Sequence, residues 1–221
     1  MVSYKKFNIL AWKEDLITLA VVVVCLGLFF LFPSQGPAQA ITASLIFLFL
    51  APFLYIKLIL KKSLRDYGLN LNNKKDGLLW GSVMFLFLAV IFYFLSKYPP
   101  FINNYPIMPA YISANFWVFL AYELILLNLL FFLQTFFFQG FLLFSFMQKL
   151  GAKAILIPIA TYGGIILFSG GFTPKLIPSI FIFIIGTAVS FKNKSFVYAY
   201  AAGFFLQFIF DAYLIYLFKN L

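Results

Sequence analysis

Residues Phe116–Met147 read FWVFLAYELILLNLLFFLQTFFFQGFLLFSFM, with one charged side chain, Glu123, in the run. At about 1.5 Å per residue, a helix of this length exceeds a bilayer hydrocarbon core of roughly 30 Å. The stretch reads as a helix that crosses a membrane. It is either one strongly tilted helix or a helix broken near Gly140.

The same pattern repeats on both sides of it. Apolar blocks run near Leu16–Phe32, Ala38–Leu60 and Gly77–Ser96 before it, and near Ala152–Phe168, Leu176–Phe191 and Phe196–Phe218 after it. Hydrophobic residues make up 64% of the 221-residue chain and charged residues 10%, against roughly a quarter charged in soluble domains. The expected fold is all-α: a polytopic transmembrane helix bundle of about seven spans, forming one membrane domain over residues 1–221. No internal repeat, linker or soluble domain interrupts it.

A net charge of +10 does not imply nucleic acid, because the charges fall between the apolar blocks. Lys and Arg stay on the cytoplasmic side of membrane proteins. With the N-terminus in the cytoplasm, only Lys97, Lys175 and Lys219 of the 16 basic residues lie outside. The expected location is the plasma (inner) membrane with the N-terminus cytoplasmic, and the expected partners are the lipid bilayer and a membrane protein. The first span also has the basic start of a signal peptide, with Ala38-Gln39-Ala40 as a small-residue site. Its long apolar stretch and the preceding Glu14 and Asp15 favour retention. Pro99, Pro100, Pro106 and Pro109 exclude a continuous helix between Lys97 and Asn115, and Tyr98, Tyr105, Tyr111 and Trp117 suit the lipid–water interface. The lone Cys25 allows no intrachain disulfide and reads as a packing or lipid-facing residue. Gly163-Gly164 and Gly170-Gly171 lack the Lys and Ser/Thr of a phosphate loop.

Two of the 6 acidic residues, Glu123 and Asp211, fall inside spans. Acids are expensive in lipid and are functional candidates there. At 100° per helical residue, Glu123, Asn128, Gln134, Thr135 and Gln139 share an arc of about 160°. On the last span Gly203, Gln207 and Asp211 recur at every fourth residue, with Tyr200 nearby. The two stripes are expected to face each other. Amides and hydroxyls also commonly hold helices together in membranes, so packing is the competing reading for this set.

The stretch Gln134-Thr135-Phe136-Phe137-Phe138-Gln139-Gly140 resembles the first motif of the CPBP (Abi, or CAAX-protease-like) intramembrane metalloproteases. That family's pattern is Glu-Glu-x-x-x-Arg followed by Gly and an apolar run. Gln134 and Thr135 stand at the glutamates and Gln139 at the arginine. The segment Leu64-Arg65-Asp66-Tyr67-Gly68-Leu69 resembles the family's loop before a helix. Tyr162 matches the aromatic of its second motif, with Ile166 where histidine would be. Gly203 stands for the histidine of its third motif, with Gln207 four residues on, and Asp211 matches an acid found there in some members. The resemblance covers residues 60–217.

What the resemblance implies is a zinc-dependent peptidase fold, and the substitutions imply lost chemistry. The chain contains no histidine. Zinc takes thiolate, imidazole or carboxylate donors, which Ile166 and Gly203 do not supply, and Gln134 has no basicity to activate water. The expectation is a catalytically inactive member without zinc or other cofactor, which binds a protein or lipid partner in the former active-site cavity. Two alternatives stand beside it: a CPBP-type intramembrane peptidase with rearranged chemistry using Glu123 and Asp211 as an acid pair, and a small lipid-handling or transport subunit.

Overall fold

The computed structural model describes residues 9–33, 36–102, 105, 112 and 115–219. Lys5, Lys6, Pro106, Pro109 and Tyr111 lie outside the described residues. Helices account for most of the described chain, and no strand occurs among the described residues. The chain divides into two compact units, Met1–Lys61 and Lys62–Leu221. The second covers nearly the whole of the 60–217 region that carries the motifs.

The first unit holds two helices. α1 spans Ile9–Leu31. α2 runs through residues 37–59, with Pro37 in its first turn after Gly36. Within α2, Ser44–Leu50 and Tyr55–Ile59 are π-helical and flank the short α-helical piece Ala51–Leu54. Pro52 lies in that piece and has no N–H to donate to the preceding turn. Thr18 Oγ1 and the Tyr55 hydroxyl hydrogen-bond at 2.8 Å across the hairpin. Phe32 meets Phe47 edge-on. Cys25 is buried, so of the two roles expected for it, packing holds.

The second unit begins with a short 3₁₀ turn, Leu64–Tyr67, capped by Ser63 and Asp66 in a reciprocal capping box. α3 follows as Lys74–Leu95. Pro99–Ile102 forms one helical turn, with its prolines at the start where a missing N–H costs nothing. α4 runs through residues 116–150, α5 is Leu156–Phe168, α6 is Ile177–Asn193 and α7 is Val197–Lys219.

Five stretches are long and apolar enough to cross a membrane: Lys13–Leu31, Ala38–Ile59, Lys74–Leu95, Phe116–Phe168 and Val197–Leu217. Ile177–Asn193 is apolar but shorter. The Phe116–Phe168 stretch contains both the fourth and the fifth of the blocks read from the sequence. They meet at Gly151, whose φ of 54° is open to glycine at little cost. α5 then returns along α4, where Phe138 meets Tyr162 edge-on at 5.7 Å.

α4 is not broken at Gly140. It continues through that point with two π-helical segments, Tyr122–Leu127 and Phe136–Leu142. Such segments accommodate an extra residue per turn and often mark functional positions. All seven residues of the second are buried. Gly140 is where Phe196 and the Tyr67 carbonyl approach the helix, each 3.2 Å from where a Cβ would sit.

The core lies between α3, α6 and α7. On α3 the buried residues are Gly77, Gly81, Met84, Leu88 and Phe92, a stripe at helical spacing that faces the other two helices. Phe92 packs on Phe210 of α7 at 4.8 Å. The rest of the α3 surface exposes Leu78, Leu79, Leu86, Phe87 and Phe94. In water such a surface would be untenable; in lipid it is the solvent-matched face. Trp117 and Tyr98 are also exposed, as expected of interfacial aromatics.

Candidate functional site: a polar seam between α4 and α7

α4 and α7 run antiparallel. Phe136 lies by Phe196, Phe131 by Phe204 and Phe119 by Phe208. The polar residues of both helices are distributed along this seam in three places.

The first is a cavity of about 80 Å³. Gln134, Thr135 and Gln139 from α4 line it, together with Tyr162 of α5, Ser179 of α6 and Gln207 of α7. Thr135 donates to the Phe131 carbonyl at 2.7 Å. Gln139 is 4% exposed and accepts a 2.9 Å hydrogen bond from Ser190, which is fully buried. Its amide nitrogen lies 2.9 Å from where a Cβ on Gly186 would stand. Gln134 is exposed at the edge of the cavity.

Two of the motif positions lie outside the lining. Ile166 sits half-buried on α5, with its carbonyl accepting from Gly171 at the end of that helix. Gly203 is buried where α7 crosses its neighbours. A Cβ there would lie 2.7 Å from Ile182 Cγ2 and 3.0 Å from Phe131 Cζ. The space a histidine would need at 203 is filled by those two side chains.

The second place joins the stripes directly. The Tyr200 hydroxyl donates to Asn128 Oδ1, and Asn128 Nδ2 donates to the Leu124 carbonyl at 3.2 Å.

The third holds the acids. Asp211 is 6% exposed. Its Oδ1 accepts from the Tyr105 hydroxyl at 2.7 Å and its Oδ2 from Gln207 Nε2 at 2.8 Å. Gln207 Nε2 also reaches the Tyr105 oxygen at 3.1 Å. Burial, then the Asp211 carboxylate, holds the Tyr105 phenol above its ordinary range, so it stays a donor. Glu123 is 1% exposed, and its Oε1 has no hydrogen-bond partner.

Sequence reasoning missed Ser190 and the bond between Tyr105 and Asp211. Ser190 and Thr187 are hydroxyl residues in a largely apolar helix, a signal that could have flagged α6 as the partner of Gln139. Tyr105 read as an interface aromatic, and nothing local tied it to Asp211.

The chemistry of this arrangement is hydrogen bonding. Amides and hydroxyls line the cavity, and none is a general base at neutral pH. They are poor zinc donors, so a zinc ion does not fit these residues. Ser190→Ala removes the donor to buried Gln139 and should cost about 1 kcal/mol in melting experiments. Ser190→Ala combined with Gln139→Met should cost less than Ser190→Ala alone, because no buried acceptor is then left unmet. No protein-family model, no curated protein and no solved structure matches this chain.

Proposed function

We propose that this chain is a non-proteolytic membrane protein of the CPBP-like type, which binds a lipid or membrane-protein partner at the remnant of a hydrolytic site. One observation carries this reading: Gln134, Thr135, Gln139 and Gln207, four positions that resemble the family motifs, line one cavity with uncharged side chains. At about 80 Å³ the cavity has room for a few water molecules at roughly 30 Å³ each. A partner therefore engages its mouth, where Gln134 is exposed. In this reading the protein lies in the plasma (inner) membrane with its N-terminus cytoplasmic.

The acid-pair peptidase is the second reading, supported by the unmet oxygen of buried Glu123. It is the weaker one because both Asp211 oxygens already accept hydrogen bonds.

The test pairs native mass spectrometry of the gently extracted protein with a peptide-cleavage assay in added zinc. The expected result is a zinc-free particle carrying stoichiometric lipid or protein, with no cleavage. Stoichiometric zinc and cleavage that Gln134→Ala abolishes would restore the metallopeptidase. Zinc-independent cleavage lost in Asp211→Asn would favour the acid pair.

A further inference from the structure

α3 and α7 lie side by side and run in the same direction, since Gly77 meets Tyr198 near their starts and Phe92 meets Phe210 further along. Their outer faces leave an open groove of about 450 Å³. It shares no lining residue with the polar cavity. Ser82 on α3 and Ala201 and Ala202 on α7 are too small to fill it, Tyr198 packs over Gly77 and Gly81, and Leu86 and Phe205 line its deep end.

The groove is polarised along its length. From Gly77 to Leu86 it descends about 13 Å at 1.5 Å per residue, close to the depth of one leaflet of a roughly 30 Å core. That matches an acyl chain and is too short for a second spanning helix. Its head lies at the N-terminus of α3. Lys74 is one turn above Leu78 and two above Ser82, on the groove face, and Lys75 stands beside it. Both ammonium-bearing side chains are exposed. Asn73 makes no side-chain cap, so the first-turn amides and the positive helix end are open to an anion. Asp76 falls about 200° around the helix from Lys74, on the side of Trp80, where the Lys192 ammonium sits 3.6 Å from the ring.

We propose that this groove binds one anionic phospholipid, its phosphate held by Lys74, Lys75 and the first turn of α3, and one acyl chain lying between α3 and α7. The charge pattern places the headgroup at the basic end of the bundle, the end that positive-inside topology assigns to the anionic cytoplasmic leaflet. The proposal needs the membrane reading alone and is independent of what the polar cavity does.

The experiment reconstitutes the full chain in nanodiscs of equal phosphatidylglycerol and phosphatidylcholine with identical acyl chains, then reads retained lipid by native mass spectrometry. One phosphatidylglycerol per protein should be retained in preference to phosphatidylcholine. Lys74→Gln with Lys75→Gln should weaken that retention roughly thirtyfold, at about a kcal/mol per lysine near the headgroup. Ser82→Trp, at an exposed position on the groove wall, should abolish retention of the lipid by filling the channel. Both variants should melt with the wild type. Equal retention of the two lipids, retention unchanged in the lysine variant, or retention surviving Ser82→Trp would each overturn the proposal. A two-copy particle that Ser82→Trp splits would assign the groove to a second copy instead.

Discussion

Asp211→Ala should destabilise the helical bundle by about 1–3 kcal/mol, the cost of leaving buried hydrogen-bonding groups without an acceptor. The loss is large because one carboxylate serves two donors from different parts of the chain. Tyr105 comes from the connection before α4, and Gln207 from one turn earlier on α7. Without Asp211, those two groups keep only their mutual 3.1 Å contact. Asp211→Asn retains one acceptor oxygen and should fall between alanine and wild type. Tyr105→Phe removes one donor and should cost less than Asp211→Ala. In a double-mutant cycle, Tyr105→Phe with Asp211→Asn should cost less than the two singles added, since both changes break one bond. The measurement is thermal melting in a mild detergent. Equal melting of wild type and Asp211→Ala would show that the carboxylate does not hold the connection to α7.

Gly203→Leu should have the other large effect, about 1–3 kcal/mol of destabilisation from overpacking. Local preference argues the opposite sign, because glycine in a helix interior is worse than alanine by roughly 0.5–1 kcal/mol. The tertiary environment overrides this. Position 203 is where Ile182 of α6 and Phe131 of α4 close on α7, and the first added carbon already meets the Ile182 methyl at 2.7 Å. Gly203→Ala should therefore gain nothing despite its better helix propensity. Gly203→His, the residue the motif resemblance would place there, should fail in the same way as leucine. Ile182→Ala should restore part of the stability lost in Gly203→Leu by making room, a coupling that melting of the four proteins reads directly. If Gly203→Leu melts at or above the wild type, the crossing is looser than these distances describe.

These two sites divide what is legible in a linear chain from what is not. The apolar blocks and the polar positions on α4 and α7 follow from properties of consecutive residues, and those are additive along a helix. So the helical class, the approximate ends of α3, α6 and α7, and the pairing of a polar stripe on α4 with one on α7 are all visible in the residues. Asn128 and Tyr200 do meet across that seam. The continuity of α4 through Gly140 was open, because an apolar run is equally compatible with one helix or two. Its π-helical turn, which buries Gln139 against Ser190, depends on packing with α6 and leaves no periodic trace.

The sequence by itself determined that this is a helical protein suited to lipid, because burial in hydrocarbon demands long apolar stretches with internally satisfied backbones. It also determined which few side chains are polar inside those stretches. Only the tertiary structure decided their partners: Tyr105 for Asp211, Ser190 for Gln139, and Ile182 with Phe131 against Gly203. A hydrogen bond or a clash between helices depends on their rotation, axial register and crossing, to within an ångström. Those quantities are set by all the contacts of the bundle together, and no local window of residues contains them.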